Sequence, residues 1–179
     1  MTKVRLFVAI LIPQDIRDSI AELMADIQKV RGLPRDIRFV PPENWHFTLT
    51  FLGYQDESAI PNISTSDVDK IEVRFEKLIY GPPGPRPRMI WLTTTGQTSE
   101  ELGKIKEKLE DKLETKGIKW QRELRPYRAH ITLARFPETP FGNLPPIEKE
   151  IDWRYEARGI RLMKSTLKRT GAEYEALDL

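Results

Sequence analysis

Hydrophobic residues recur along the chain at spacings that predict strands and helices in alternation. Residues 4–12 are rich in Val, Ile, Leu and Phe, a composition typical of a central strand. Pro13 then begins a helix pattern that ends at Gly32. The apolar positions on one face of this helix are Ile16, Ile20, Leu23, Ile27 and Val30. Residues 37–40 alternate up to a Pro-Pro break, which indicates a second strand.

A polar segment, residues 56–69, separates the two halves of the chain, and we expect only a short helix or loop there. Residues 71–75 then alternate strictly, as in a strand with one buried face. A Pro/Gly-rich stretch at 81–88 predicts a turn into the next strand, residues 89–92. This stretch is too short to link separate domains.

A second helix pattern begins at Thr98 or Ser99 and ends at Gly117. Its apolar positions are Leu102, Ile105, Leu109 and Leu113. The remaining predicted strands are residues 118–120, the stretch that opens at His130, and residues 155–166 and 172–177. The order strand, helix, strand, histidine strand therefore occurs twice, and the predicted fold class is α+β with mostly antiparallel sheet in two similar halves.

Composition narrows this picture. A chain of 179 residues is the length of one domain, so we expect residues 1–179 to form a single unit. Lys and Arg (29) nearly balance Asp and Glu (27), so contact with nucleic acid depends on local clustering. Cysteine is absent, which excludes disulfides, thiolate nucleophiles and Cys-based metal sites. With no apolar run of about 20 residues, we expect no membrane partner and a cytoplasmic location.

Both histidines of the chain open similar stretches of sequence. HFTLTFLG begins at His46, and HITLARF begins at His130. Aligned on the histidine, PENWHFTL and PYRAHITL both read Pro-x-x-x-His-x-Thr-Leu. The repeat therefore matches Thr48 with Thr132 and places one copy in each half of the chain.

Each motif predicts a polar pair on a strand whose other face is buried. Residues i and i+2 of a strand share a face, so His46 and Thr48 lie side by side while Phe47, Leu49 and Phe51 point into the core. A single pair of this kind would be interpreted as the solvent face of a half-buried strand. Its recurrence at both histidines favours a shared site instead.

Paired histidines suit acid/base chemistry at a phosphodiester. One neutral ring can act as general base and one charged ring as general acid near neutral pH. The hydroxyls of Thr48 and Thr132 can donate to phosphate oxygens, and a guanidinium can hold two of these oxygens. Arg135, five residues after His130, is the candidate guanidinium. The alternative interpretation of Arg135 is an ordinary surface arginine.

Zinc binding is the other chemistry that two histidines allow. Each histidine has only a threonine beside it on its face, and a closed zinc site would need carboxylates from elsewhere in the chain. The motifs supply none. The sequence therefore predicts a site without a metal.

The motifs resemble those of the two-histidine (2H) phosphoesterase superfamily. The similarity extends from RLFVAILIP at the start, through FLG after the first motif and LAR after the second, to STLKRTGAEYEAL in the tail. The most similar branch is that of the bacterial and archaeal RNA 2′,3′-cyclic phosphodiesterases, also called 2′-5′ RNA ligases. The resemblance covers nearly the whole chain.

This resemblance implies a bilobal fold, with two pseudo-symmetric, mostly antiparallel sheets, helices in each lobe and an active-site cleft between the lobes. It implies hydrolysis of an RNA terminal 2′,3′-cyclic phosphate to a 2′-phosphate, with no cofactor, ATP or metal. We expect a monomer that acts on RNA ends or small cyclic nucleotides. By analogy His130 activates water and His46 protonates the leaving 3′ oxygen, although the residues alone leave the two roles open. In reverse, an RNA 5′-hydroxyl would be joined through a 2′-5′ bond.

Two positions depart from the family pattern. Ala129 precedes the second histidine where Pro is common, and we expect this to affect only the entry into the strand. Thr50 follows the first motif where Lys is common, which we expect to remove a phosphate contact. Two alternatives stay open at this point: a phosphodiesterase for another cyclic or 2′-5′ linked nucleotide, and an RNA-end binding module without turnover.

Overall fold

The computed structural model describes residues 2–63, 65 and 70–177 of the chain. Within these residues, ten strands and two helices follow one another as β1 (Lys3–Leu11), α1 (Gln14–Ile27), β2 (Arg38–Phe39), β3 (His46–Asp56), β4 (Lys70–Gly81), β5 (Met89–Thr94), α2 (Gly96–Thr115), β6 (His130–Arg135), β7 (Lys149–Glu150), β8 (Arg154–Arg158), β9 (Arg161–Lys168) and β10 (Gly171–Leu177). Short 3-10 turns occupy Pro42–Asn44, Glu57–Asn62 and Phe141–Asn143. The predicted α+β class is confirmed.

The strands form an antiparallel sheet that consists of two halves. The order is β10-β9-β1-β3-β6-β5-β4-β7, with β2 added to β6 and β8 added to β4. Within the described residues, β3 and β6 meet through a single register pair, Phe47 with Ile131. The first lobe therefore contains β10, β9, β1 and β3, and the second contains β6, β5, β4, β7 and β8. The two histidine strands are the innermost strand of each lobe.

A shared hydrophobic core packs against one face of this sheet. It includes the apolar face of α1, represented by Ile16 and Ile20, and that of α2, represented by Leu102 and Leu109. Helix α1 ends at Ile27, before the predicted stop at Gly32, and residues 28–29 and 31–32 form turns instead. Among the described residues, no helix combines the length and apolar content needed to cross a membrane.

Helix α2 begins earlier than the sequence predicted. It starts at Gly96, and the side chain of Thr95 caps it by accepting a hydrogen bond from the Thr98 backbone N–H at 3.3 Å. Thr95 precedes Thr98 by three residues, which is the usual spacing for a capping hydroxyl. The predicted start at Thr98 or Ser99 was therefore two to three residues too late.

Two predicted strands differ from the structure. Residues 118–120 form no strand and are part of the irregular connection between α2 and β6. The predicted strand 155–166 is interrupted at Gly159, whose φ of 74° lies in the left-handed region that favours glycine. The chain turns there, so β8 pairs with β4 in the second lobe and β9 pairs with β1 in the first. Of the segment 56–69, residues 64 and 66–69 lie outside the described residues.

Candidate active site

Both histidine rings are oriented by the same local contact. His46 and His130 are the first residues of β3 and β6. The Nδ1 atom of His46 lies 2.7 Å from the carbonyl oxygen of Asn44, and that of His130 lies 2.8 Å from the carbonyl oxygen of Arg128. A carbonyl oxygen only accepts, so each Nδ1 carries the proton that it donates. In the neutral rings, Nε2 is therefore the nitrogen with a free electron pair.

Each histidine strand carries a β-bulge at the leucine of its motif. Ala9 pairs with Thr48 while the preceding residue, Val8, pairs with Thr50, so Leu49 is an extra residue in β3. In β6 the same irregularity occurs, because Trp91 of β5 pairs with Thr132 while the preceding residue, Ile90, pairs with Ala134. Leu133 is therefore the extra residue in β6. A bulge of this kind interrupts the strict alternation of faces. The repeated leucine in the sequence thus marks a repeated irregularity in the structure.

The bulges change which side chains lie on the same face of the strand as the histidines. Leu49 and Thr50 are both buried, at 2% and 3% exposure, so the alternation restarts after them. Phe51 consequently lies on the histidine face and is 46% exposed. The prediction that Phe51 points into the core was wrong for this reason. Arg135 occupies the equivalent position in β6, five residues after its histidine, and the bulge likewise places it on the histidine face.

One cavity of about 190 Å³ contains both motifs. Its lining includes all five of the residues predicted from the sequence, namely His46, Thr48, His130, Thr132 and Arg135. It also includes a second arginine, Arg5, whereas none of the described residues in the lining is Asp or Glu. Two guanidinium groups without a neighbouring carboxylate make this cavity suited to an anion.

Arg5 and Phe51 form the wall of the cavity in the first lobe. Arg5 Nη1 donates to Ser165 Oγ at 3.0 Å, and its guanidinium lies 4.6 Å from the centre of the Phe51 ring. Arg5, Phe51 and Ser165 were not predicted from the sequence as parts of the site. A charged residue within the apolar run 4–12 was the available signal for Arg5, since a buried strand otherwise excludes charge.

His46 is enclosed by aromatic rings. Phe7 lies 4.9 Å and Tyr174 lies 5.2 Å from it between ring centres. Its Nε2 is 2.9 Å from Thr48 Oγ1, so the threonine hydroxyl donates to the neutral ring. The side-chain amide of Asn44 donates to the carbonyl oxygen of Ala172 at 2.7 Å, which ties the loop before His46 to β10.

His130 is held against a tryptophan. The ring of Trp91 is stacked on it, with centres 3.8 Å apart and planes 20° from parallel. Trp91 in turn packs against Gly81, where an added Cβ would lie 2.3 Å from the indole ring. In the described part of the chain, Nε2 of His130 has no hydrogen-bond partner. This nitrogen is thus available to a ligand.

Burial lowers the pKa of both histidines below the ordinary value of 6.5. The hydrogen bond from Nδ1 to the backbone carbonyl opposes this shift in each ring. The positive charge of Arg135, which lines the same cavity, lowers the pKa of both rings further. Both rings are therefore mainly neutral in the free protein at neutral pH.

The guanidinium of Arg135 is exposed and available. Its Nη1 lies 3.4 Å from the sulfur of Met89, and among the described side chains no carboxylate forms an ion pair with it. Nor does the described part of the chain contain a group of three or more His, Asp and Glu side chains arranged to hold a metal ion.

Thr50 and Ala129 have structural contacts that the sequence did not predict. Thr50 is buried on the opposite face from His46, and its hydroxyl donates to Glu110 at 2.9 Å. A side chain at this position does not line the cavity, so the expected loss of a phosphate contact does not apply to Thr50. The backbone N–H of Ala129 donates to Ser99 Oγ at 3.0 Å, a contact that proline could not make.

Two successive parts of the chain, residues 10–91 and 92–174, each match the sequence model of one family, described as LigT-like phosphoesterase. The chain belongs to the LigT-like phosphoesterase family. The two matches divide the chain between the first histidine motif and the second, in agreement with the repeat seen in the sequence.

LigT-like relatives match along nearly the full length. An RNA 2′,3′-cyclic phosphodiesterase of Methanocaldococcus jannaschii is 33% identical, with 97% of this chain and 98% of the relative covered. The crystal structure of TT0787 of Thermus thermophilus is 26% identical, covers 97% of this chain and 95% of its own, and has a TM-score of 0.76. The apo form of E. coli LigT, at 24% identity and a TM-score of 0.77, shares the fold over 99% of this chain and 96% of its own.

Proposed function

We propose that this LigT-like phosphoesterase hydrolyses the 2′,3′-cyclic phosphate at RNA 3′ ends to a 2′-phosphate, through paired acid/base catalysis by His46 and His130. The observation that carries the proposal is the single cavity in which both histidines, two threonine hydroxyls and Arg135 converge. The name of the M. jannaschii relative supports the substrate class.

The geometry favours His130 as the base. Its Nε2 has no partner among the described residues, so it can accept a proton from water that attacks the phosphorus. In-line attack requires the leaving 3′ oxygen on the opposite side, where His46 donates a proton to it. The P–O3′ bond breaks, and the phosphate stays on the 2′ oxygen.

Arg135 and the two threonines bind the phosphate in this mechanism. The guanidinium can donate to two phosphate oxygens, and the hydroxyls of Thr48 and Thr132 can donate to the same oxygens. The bound anion also offsets the charge of Arg135, which lowers the pKa of both histidines in the free protein. Substrate binding therefore raises the pKa of His46 and favours the charged ring that acts as general acid.

The same residues allow the reverse ligation. An RNA 5′-hydroxyl that takes the place of water gives up its proton to His130, and the 3′ oxygen again takes one from His46. The product is a 2′-5′ phosphodiester. Hydrolysis and ligation thus differ only in the attacking group, which is water in hydrolysis and an RNA 5′-hydroxyl in ligation.

The decisive measurement uses an oligonucleotide that ends in a 2′,3′-cyclic phosphate. Wild-type protein should convert this end to a 2′-phosphate with EDTA present, and His46→Ala and His130→Ala should each lower kcat by about 10²- to 10⁴-fold. Leu124→Ala, at an exposed side chain outside the cavity, is the matched control and should keep full activity. Full activity in either histidine variant, or a 3′-phosphate product, would contradict the proposal.

A further inference from the structure

A second cavity, of about 400 Å³, adjoins His130 and is lined by residues of β5 and β4, whereas β3 with His46 lies on the other side of β6. We call it the lateral pocket and define it by Lys77, Trp91, Thr93, Arg128, Phe141 and Glu148. Thr93 pairs directly with His130, and Lys77 pairs with Thr93, so their side chains share one face of the sheet. The lateral pocket therefore extends the cleft from His130 across β5 to β4.

The charges of the lateral pocket differ from those of the first cavity. Two positive groups, Lys77 and Arg128, and two negative groups, Glu76 and Glu148, line it. None of the four takes part in an ion pair within the described part of the chain. The first cavity instead contains two arginines and no carboxylate among its described residues. The first cavity is thus suited to a phosphate, and the lateral pocket to an uncharged, polar group.

Phe141 gives the lateral pocket an aromatic surface. It lies in the turn Phe141–Asn143, is 51% exposed and is held edge-on by Tyr80, with ring centres 6.2 Å apart. The hydroxyl of Tyr80 is fixed by donating to the carbonyl oxygen of Pro145 at 2.7 Å. An exposed ring on a fixed support can stack on a nucleobase, and the unpaired charged groups can donate to and accept from its edge.

We propose that the lateral pocket binds the nucleoside that carries the 5′ oxygen in 2′-5′ ligation and in its reverse, the cleavage of a 2′-5′ linkage. This rests on the proposed function, in which His130 serves the attacking oxygen. In-line displacement places the attacking and leaving groups on opposite sides of the phosphorus. The attacking nucleoside then lies beyond His130, where the lateral pocket is, and the nucleoside of the cyclic phosphate lies on the side of His46.

The charge of the ligand matches the pocket. A nucleoside with a free 5′-hydroxyl carries no phosphate at that end.

In ligation its 5′ oxygen bonds to phosphorus and its proton passes to His130 Nε2, while the P–O3′ bond breaks and O3′ takes a proton from His46. In cleavage the 3′-hydroxyl attacks and gives its proton to His46, and the 5′ oxygen leaves with a proton from His130. The products are a 2′,3′-cyclic phosphate and a free nucleoside.

Two substrates separate this inference from the proposed function. Adenosine 2′,3′-cyclic phosphate requires only the first cavity, whereas adenylyl-(2′-5′)-adenosine also requires the lateral pocket. Phe141→Ala should lower kcat/KM for the dinucleotide at least about fivefold, the lower range of a lost stacking contact, and leave hydrolysis of the cyclic nucleotide unchanged. Phe141→Tyr, which keeps the ring, should retain both activities.

Phe51→Ala is the matched truncation in the first cavity and should lower both activities, since both substrates place a nucleoside there. The inference is overturned if Phe141→Ala lowers both activities equally or neither of them. It is also overturned if the wild type hydrolyses the cyclic nucleotide but does not cleave the dinucleotide. Failure of the wild type on the cyclic nucleotide would instead refute the proposed function.

Discussion

At the scale of single residues, protonation governs the candidate site. Burial lowers the pKa of both His46 and His130 below 6.5, and the positive charge of Arg135 lowers it further. The hydrogen bonds from Nδ1 to backbone carbonyls oppose this shift. The base must be neutral and the acid charged at the same time. The neutral form of the base is lost as pH falls through its pKa, and the charged form of the acid is lost as pH rises through its own.

The pH dependence of kcat/KM follows from these directions. We expect a bell-shaped profile for adenosine 2′,3′-cyclic phosphate with its maximum below pH 6.5, because both histidines of the free enzyme titrate below their ordinary pKa. Arg135→Gln should move both limbs to higher pH and lower kcat/KM, whereas Arg135→Lys should keep the positions of the limbs. A wild-type maximum above pH 7.5 would show that this account of the two rings is incorrect.

At the scale of elements, the two bulged strands and their neighbours position the two histidines and the side chains around them. The bulges at Leu49 and Leu133 return Phe51 and Arg135 to the histidine face. Strand β5 adds Trp91, which is stacked on His130. Strand β4 adds Gly81, which leaves room for that indole ring. We therefore propose that Gly81 positions His130 through Trp91.

Gly81→Ala tests this positioning. The added Cβ would lie 2.3 Å from the Trp91 ring, so the ring must move and the stacked His130 must move with it. We expect kcat to fall about tenfold or more while the protein stays folded, since small displacements of a catalytic group have effects of this size. Combining it with Trp91→Phe, a smaller ring, should restore part of the activity.

Gly96→Ala is the matched control for that experiment, because a Cβ at Gly96 meets no heavy atom within 4 Å. It should leave kcat unchanged. If Gly81→Ala keeps full kcat and the wild-type pH profile, the stack does not position His130.

At the scale of the whole molecule, polar contacts join β3 to the second half of the chain. Helix α2 contributes Glu110, which accepts a hydrogen bond from Thr50 of β3 at 2.9 Å and pairs with Lys106 at 2.6 Å. Gln55 of β3 donates to the carbonyl oxygen of Lys119 at 2.8 Å. Tyr127 donates to the carbonyl oxygen of Thr48 at 2.7 Å. These contacts and the shared core couple the positions of the two histidine strands.

Glu110→Ala should lower the free energy of unfolding by about 3–5 kcal/mol, because it leaves the buried ammonium of Lys106 unpaired. Thr50→Val should lower it by about 1 kcal/mol and leave kcat/KM unchanged, since Thr50 does not line the cavity. Denaturant titration and steady-state kinetics measure both. A raised KM in Thr50→Val would show that Thr50 affects substrate binding in spite of its burial.

Glu100→Ala is the matched control on the same helix. Glu100 pairs with Lys104 at the same i,i+4 spacing as Lys106 and Glu110, but both partners are exposed. Solvent screens such a pair, so we expect no measurable change in unfolding. An equal effect of the two substitutions would mean that burial of the Lys106–Glu110 pair does not matter.

The sequence by itself determined the α+β class, the order of the main elements and the residues of the repeated motif. These follow from local chemistry, because apolar periodicity sets which face of an element is buried and a repeated His-x-Thr sets which polar groups share a face. Even the leucine at each bulge was visible as part of the repeat, although its backbone role was not.

Only the tertiary structure decided the faces of Phe51, Thr50 and Arg135, because a bulge depends on how a strand pairs with its neighbour. The assignment of β8 and β9 to different lobes likewise depends on the turn at Gly159 and on which strand edges were free to pair. Arg5, Trp91 and Gly81 reach the site from strands that only folding brings beside the histidines. Distance in space, unlike periodicity along the chain, is not encoded by neighbouring residues.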